Sequence, residues 1–272
     1  MSFGSKFKPM QSSTLAKVRD HIHHILMLLT IASTILLSVL LAGCSSPGNM
    51  SSIYVLALSY QKTPHDVLQG TFATTVSESI STVLGSLTTA VEVRAGYFNI
   101  CISRGGGEWE CGRDAPSLQA RLSGDDPLNL VTAASTFRDH TIFSGLLATQ
   151  IVLHSIALIT LAMFDSWHKA APQGTGNLDP FPTRSLGLTA QLSSGAAALF
   201  GLLSAVWQHA AAVTAGTILS TATYGHVVTH VGAAATTLVW ASYFLLMFVF
   251  IVILGMRVQI LAQSLGDRME EE

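Results

Sequence analysis

The sequence predicts an all-α membrane protein with four transmembrane helices and a small β-sheet in the first outer loop. Of the 272 residues, 49% are hydrophobic and only 11% are charged, whereas soluble proteins carry about 25% charged residues. Four long apolar runs lack charge, and the first connecting loop contains the alternating segments that are typical of strands. We therefore expect the apolar excess to lie in lipid.

Composition also excludes several classes of protein. The mean hydropathy of +0.48 is incompatible with a disordered chain and with an ordinary soluble enzyme. Lys and Arg number 14 and Asp and Glu number 16, for a net charge of -2. Such a balance gives no global field for binding phosphate, so we expect no nucleic-acid partner.

Four apolar runs are long enough to cross a bilayer, which needs about 20 residues per helix. No Asp, Glu, Lys or Arg occurs between Arg184 and Arg257, a stretch that holds two of the runs. The predicted transmembrane helices are residues 22–43, 140–164, 185–207 and 232–256.

The short flanking segments predict the orientation, because positive charge in short loops stays in the cytoplasm. Residues 1–21 hold four Lys and Arg against one Asp, and residues 165–184 and 257–272 also carry positive charge. Residues 208–231 contain no Lys or Arg. We therefore expect a cytoplasmic N-terminus, loop (165–184) and tail (257–272), with residues 44–139 and 208–231 outside.

The first outer loop is too long to be a simple connection. Its patterns predict strands over Ser52–Tyr60, over 91–94 running into 96–101, and at Trp109–Cys111 after a glycine turn. Two helices are expected as well. One covers residues 71–90, with Val76, Ile80, Val83 and Leu87 at helical spacing, and the other is an amphipathic helix over 127–140.

Cys101 and Cys111 form the strongest local signal in the chain. Both lie in the outward loop, an oxidising compartment, and the nine residues between them suit a hairpin closed by a disulfide. Such a bridge contributes on the order of 2–3 kcal/mol. No second Cys or His pair lies nearby, so the spacing does not indicate zinc.

Two features stand beside the first helix. Leu40–Cys44 resembles a bacterial lipoprotein cleavage box, but three more apolar runs follow, which favours a helix end with an unpaired Cys44 thiol. Asn49-Met-Ser51 is a glycosylation acceptor pattern on the outer side. It lies so close to the membrane that its use stays open.

Gly96, Tyr97 and Phe98, then Cys101, and Cys111 after nine further residues, resemble the signature of the claudin superfamily of four-span proteins. Within that superfamily the chain is similar to the fungal Fig family. Trp109, two residues before Cys111, and the segment 126–138 also resemble that family. Asn99 replaces the second glycine of the Fig pattern. That departure leaves eisosome-type and other claudin-like branches open.

The resemblance implies a claudin-like left-handed four-helix bundle topped by an extracellular sheet. It also implies a plasma-membrane regulator of calcium influx and of membrane or cell fusion during fungal mating or hyphal growth. The partners it implies are the lipid bilayer together with further copies of the chain or calcium-channel subunits. The alternative is a claudin-like or eisosome-type organiser of membrane domains and cell contacts.

The sequence contains few candidates for chemistry. Small residues in the third and fourth runs favour close helix packing, and His154 and Gln191 within the runs are interpreted as interhelical hydrogen-bonding groups. The scattered histidines and the absence of a nucleophile–base pair predict no enzyme and no cofactor. Five acidic side chains in the outer loop are weak candidates for calcium binding: Glu108, Glu110, Asp114, Asp125 and Asp126. The alternative interpretation is that they form a solvated surface. No Asp or Glu lies in a run, so a single chain is not expected to conduct calcium.

Overall fold

Seven α-helices and one five-stranded sheet are the main elements of the described part of the chain. The computed structural model describes residues 12–61, 71–85, 90–122, 124–163 and 184–270. In chain order the elements are α1 Ser12–Leu41, β1 Leu56–Tyr60, α2 Thr71–Gly85, β2 Val91–Ala95, β3 Ile100–Arg104, β4 Trp109–Gly112, α3 Ala115–Leu122, α4 Leu130–Thr136, α5 Ser144–Ala162, α6 Arg184–Ala222, β5 Val227–Val231 and α7 Ala233–Glu270.

Four of these helices are long and apolar enough to cross a membrane, which confirms the predicted number among the described residues. The apolar stretches are His21–Leu41, Ser144–Ala162, Ser185–Ala222 and Ala233–Gln259. Residues 1–11 and most of the expected cytoplasmic loop, 164–183, lie outside the described part of the chain. The fold is therefore a four-helix membrane bundle with a small sheet.

The last two long helices extend past the expected span ends. Helix α6 continues beyond Trp207 to Ala222, into the segment expected to be an outer loop, and α7 continues beyond Met256 to Glu270. Hydrophobicity marks where lipid ends, whereas a helix ends where its backbone stops finding i−4 partners. The alanines after Trp207 favour the helix, and the threonines make the same stretch less apolar than the span before it.

The sheet joins the two segments that connect the long helices at one end of the bundle. Its strand order is β4-β3-β2-β1-β5, and all neighbouring strands are antiparallel. Strand β5, between α6 and α7, pairs with β1 from Leu56↔Val231 to Tyr60↔Val227. The sequence analysis did not predict β5, although Val227-Val-Thr-His-Val231 is rich in β-branched residues.

Two hydrophobic cores hold the molecule together. The larger core joins the sheet to α4 and to the adjoining ends of the long helices, with Leu40, Val93, Ile100 and Leu147 among its buried residues. The smaller core lies farther along the bundle and includes Leu26, Leu161, Ala197 and Leu246. Because one continuous core serves both the sheet and the helix ends, the sheet is packed directly on the bundle.

The predicted helices of the first connecting segment differ in detail. Helix α2 lies within the predicted 71–90, but between residues 75 and 85, where side-chain burial is described, the buried residues are Ser77 and Leu84, whereas Val83 is 49% exposed. Leu87 lies outside the described residues. The expected helix over 127–140 divides into α4 and a π-helical turn, Phe137–Thr141, with a break before α5. Helix α3 was not expected. The strand predicted over Ser52–Tyr60 begins only at Leu56, because Asn49–Ser52 forms a 3₁₀ turn.

Candidate functional site: the disulfide-braced sheet

The Cys101–Cys111 disulfide links two neighbouring strands of the sheet, as the sequence predicted. The two cysteines are direct partners in the β3–β4 register, between the pairs Ile100↔Gly112 and Ile102↔Glu110. Strand β4 lies at the edge of the sheet. Because β4 is short and pairs with β3 on one side only, backbone hydrogen bonds hold it weakly. The disulfide therefore adds a covalent link between this edge strand and the sheet.

Gly96 allows the sheet to sit on the end of α1. A Cβ atom at this position would lie 2.8 Å from the carbonyl oxygen of Gly43 and 3.0 Å from the Cβ atom of Cys44. The backbone of Gly96 turns after β2, and its N–H donates to the carbonyl oxygen of Asn99 at 2.9 Å. The glycine of the motif is thus required by the close approach of two backbones.

Tyr97 connects the sheet to the third long helix. Its ring is 5% exposed, and its hydroxyl donates a 2.8 Å hydrogen bond to Oε1 of Gln208 on α6. Burial raises the pKa of the Tyr97 phenol. The hydroxyl therefore stays a donor over the physiological range, and it satisfies an amide oxygen that is itself buried.

Phe98 and Asn99, the next two residues of the motif, have different roles: Phe98 lies at the surface, and Asn99 takes part in the turn. Phe98 is 44% exposed, so this bulky residue is a surface group. Asn99, which departs from the Fig pattern, has no positive φ, and its carbonyl accepts the Gly96 N–H. Since the backbone at this position does not need glycine, asparagine fits the same turn.

Trp109 has a definite partner that sequence reasoning missed. The guanidinium carbon of Arg94 lies 3.9 Å from the centre of the Trp109 ring and 4.8 Å from the centre of the Tyr54 ring. Arg94 also donates to Oε1 of Glu92 at 2.8 Å and to the carbonyl oxygen of Ser51 at 3.0 Å. Cation–π contacts of this kind stabilise the pair by roughly 0.5–2 kcal/mol. The alternation of β2 could have indicated that Arg94 and Glu92 share a face.

Cys44 is a free, buried thiol beneath the sheet. It adopts a left-handed backbone with φ 57°, and its Sγ lies 3.6 Å from the carbonyl oxygen of Ile53. Burial raises the pKa of the Cys44 thiol to about 12, and the charge of Arg94 opposes this shift only in part. An un-ionised, enclosed thiol is inert.

Two charged side chains attach the segment 126–138 to neighbouring parts of the chain: Asp126 contacts Tyr60 on β1, and Arg138 donates to the carbonyl oxygen of Arg113 after β4 at 2.8 Å. The Asp126 carboxylate accepts hydrogen bonds from the N–H groups of Leu130 and Val131, at 2.8 and 3.1 Å, and from the Tyr60 hydroxyl at 2.5 Å. Arg138, nearly buried, donates to both carboxylate oxygens of Asp139. That hydrogen bond lowers the pKa of Asp139.

The acidic calcium candidates do not converge on a common point. Asp126 caps α4, Asp114 caps α3 through the Ser117 N–H, and Glu110 pairs with Arg121 at 3.0 Å. Glu108 is exposed and Asp125 is half-buried. No group of three or more His, Cys, Asp or Glu side chains suited to a metal occurs in the described ranges. In the described part of the chain these residues are accordingly caps and surface groups.

Asn49 is exposed at the start of the 3₁₀ turn that follows α1. Ser51 of the same acceptor pattern is buried, and its hydroxyl donates to the carbonyl oxygen of Gly48 at 2.6 Å. The Asn49 side chain is therefore accessible for glycan attachment, which stays a prediction.

The polar residues noted within the spans make contacts between helices. His154 on α5 is fully buried and lies 2.8 Å, measured at Nε2, from the hydroxyl of Ser33 on α1. Gln191 on α6 accepts a hydrogen bond from Arg257 on α7. Both residues thus act as the interhelical hydrogen-bonding groups that the sequence predicted.

The architecture defines a class of protein: a four-helix membrane protein whose connecting segments form one disulfide-braced sheet at one end of the bundle. Residues 74–261, most of the chain and including the motif, match the family described as "Ca2+ regulator and membrane fusion protein Fig1". The chain belongs to that family. No curated protein matches the chain by sequence.

Proposed function

We propose that this chain is a plasma-membrane regulator of calcium influx and of membrane or cell fusion during fungal mating or hyphal growth. The observation that carries the proposal is the family match over residues 74–261, which covers strands β2 to β5 with the disulfide, helices α5 and α6, and most of α7. The family's description supplies calcium regulation and membrane fusion. The plasma membrane and the mating or hyphal setting are our extension from the resemblance.

The exposed surface of α6 supports placing the sheet outside the membrane. Up to Trp207 most exposed residues of α6 are large and apolar, and beyond Trp207 most are smaller or more polar: before, Ser185, Leu188, Thr189, Leu192, Leu199, Leu202, Leu203 and Val206; after, His209, Ala210, Val213, Thr214, Thr217, Ile218, Thr221 and Ala222. Trp207 is half exposed, as tryptophans at a membrane boundary are. Residues 208–222 then extend about 22 Å beyond the lipid. With the charge distribution of the chain, this supports an extracellular sheet and cytoplasmic termini.

The sheet topology supports the claudin-like bundle that the resemblance implies. Both segments that connect the long helices at this end contribute strands, and β5 completes the sheet next to β1. Small residues buried in α6, Ala197, Ala198 and Ala205, let it approach its neighbours closely. A left-handed bundle under an extracellular sheet is the arrangement we propose.

Regulation through partners fits the composition of the bundle better than conduction by one chain. The four apolar stretches contain no Asp or Glu between residues 21 and 41, 144 and 162, 185 and 222, or 233 and 259. A calcium pathway needs rings of carboxylates or carbonyls. We therefore propose that the braced sheet acts on calcium-channel subunits or on further copies of the chain.

The test is cytosolic calcium entry in a deletion strain that re-expresses variants at matched surface amounts. Wild type should restore calcium entry, and the Cys101→Ser, Cys111→Ser pair should not, because edge strand β4 loses its covalent tie. Ser79→Ala is the control and should behave as wild type, because the exposed Ser79 hydroxyl donates to the carbonyl oxygen of Thr75 within α2. Unchanged calcium entry and unchanged fusion in the deletion strain would rule out the proposal.

The alternative proposal is a claudin-like or eisosome-type organiser of membrane domains and cell contacts. The uncharged spans favour it, because a bundle without intramembrane charge suits assembly better than transport. Imaging distinguishes the two proposals. Static cortical patches that form without mating cues support the organiser, whereas freely mobile, diffuse protein argues against it.

A further inference from the structure

His154 is hydrogen-bonded at both ring nitrogens in the interior of the bundle. Its Nδ1 lies 2.7 Å from the carbonyl oxygen of Gln150, and its Nε2 lies 2.8 Å from the hydroxyl of Ser33. A carbonyl oxygen can only accept, so Nδ1 carries a hydrogen. In the neutral ring Nε2 is then the acceptor, and Ser33 donates to it.

Ser33 has a second place for its hydrogen. Its Oγ lies 2.8 Å from Oγ of Ser242 and 3.1 Å from the carbonyl oxygen of Ser242 on α7. When Nε2 gains a proton, it donates to Ser33, and the Ser33 hydroxyl turns its hydrogen towards Ser242. Rotation of one hydroxyl therefore gives His154 a complete set of hydrogen bonds in both protonation states.

The helices packed around His154 bring no competing charge to it. Residues 25–41 of α1 and 185–208 of α6 contain no titratable side chain, and His154 is the only one in α5. On α7, Tyr243 next to Ser242 is the titratable side chain between residues 233 and 256. Its ring lies against Gly201. Burial without a carboxylate nearby disfavours the charged ring, so a proton bound here would depend on the hydrogen bonds to Gln150, Ser33 and Ser242.

Unpartnered polar groups lead from His154 towards the sheet. The side-chain amide of Gln150 is fully buried with neither its nitrogen nor its oxygen hydrogen-bonded, and Ser204 Oγ is buried and unpartnered as well. A Cβ atom at Gly201 would lie 2.7 Å from Nε2 of Gln150. Gly201, Ser204 and Gln208 follow one another at helical spacing on α6, and Gln208 is the partner of Tyr97. Buried polar groups without protein partners are groups to which internal water binds where there is room for it.

We propose that His154 is a proton-binding site inside the bundle, in which Ser33 and Ser242 exchange hydrogen-bonding roles. Water held by Gln150 and Ser204 carries the proton between the sheet side and the imidazole. The site requires only the contacts within the bundle and does not depend on the proposed calcium role.

Proton binding is measured on the full chain in lipid nanodiscs by nitrogen NMR of labelled histidine, between about pH 8 and about pH 5. His154→Gln identifies the His154 signal by its loss. That signal should change from the neutral to the cationic form, and Ser33→Ala should weaken proton binding about tenfold, because the bond to the charged ring is the stronger one. Ser155→Ala is the matched control, since its exposed hydroxyl bonds only to its own helix. A His154 signal that stays neutral throughout, or equal proton binding in both serine variants, would overturn the site.

The route is tested by the rate at which the His154 ring proton exchanges with solvent. Gln150→Leu keeps the backbone carbonyl that accepts from Nδ1 but removes the amide, so exchange should slow severalfold. Thr149→Val, which alters an exposed hydroxyl one residue earlier, should leave exchange unchanged. Exchange in Gln150→Leu as fast as in wild type would show that the proton does not pass this side chain.

Discussion

The Tyr97 hydroxyl donates to the Gln208 side chain across 2.8 Å, and this contact joins the sheet motif to the third long helix. Both groups are buried. The motif tyrosine therefore holds the sheet in a defined position against α6, in addition to packing in the hydrophobic core. Such a role explains why a bulky residue with a polar tip suits this position.

Tyr97→Phe should lower the stability of the protein by about 1–3 kcal/mol, because the Gln208 oxygen is left buried without a donor. Thermal unfolding in detergent measures the change. The double variant Tyr97→Phe, Gln208→Leu should recover much of the loss, since both polar partners are then gone. A double variant less stable than either single variant would contradict the contact.

Gly96→Ala should separate the sheet from the end of α1, because the new methyl group would overlap the Gly43 carbonyl. We expect loss of stability and of surface delivery. Gly85→Ala is the matched control, since a Cβ atom there meets no atom within 4 Å. Cell-surface labelling compares the two, and equal delivery would refute the close approach at Gly96.

Asp126→Asn should destabilise the region around α4 by about 1–2 kcal/mol, the usual cost of losing a helix cap. The carboxylate accepts from two backbone N–H groups and from Tyr60, and an amide has a single acceptor oxygen. Hydrogen exchange at Leu130 and Val131 reports the change directly. Asp125→Asn, at the half-buried neighbouring position, should leave this exchange unaltered.

Cys44 should make stability depend on pH in the alkaline range. Burial raises the pKa of the folded Cys44 thiol to about 12, whereas the unfolded thiol ionises near its ordinary pKa of 9.0. Its stabilising contribution is therefore complete below pH 9 and is lost as the pH rises from 9 towards 12, by at most about 1.4 kcal/mol per pH unit. Wild type should lose more stability than Cys44→Ala over this interval. Parallel losses in the two proteins would show that the thiol is not enclosed.

The sequence was sufficient for features governed by composition and short spacing. The four spans, the disulfide, the glycine turn before Trp109 and the strand around Val91–Ala95 follow from hydropathy, cysteine spacing and alternation. Features that depend on distant partners were missed. Strand β5 forms only where β1 lies beside it. The contact between Arg94 and Trp109 depends on the register of β2, β3 and β4. The buried face of α2 depends on His226, whose Nε2 lies 3.0 Å from the Ser77 hydroxyl.

The pairing of β1 with β5 also bears on how the chain is made. Leu56 meets Val231 only after α6 has been synthesised and has brought the second connecting segment back to the same side of the membrane. Until then β1 presents an open strand edge, which is the kind of surface that chaperones recognise and that aggregates when left exposed. Chains that stop before residue 227 should therefore be retained and degraded during biogenesis, even though they contain the whole disulfide-braced hairpin.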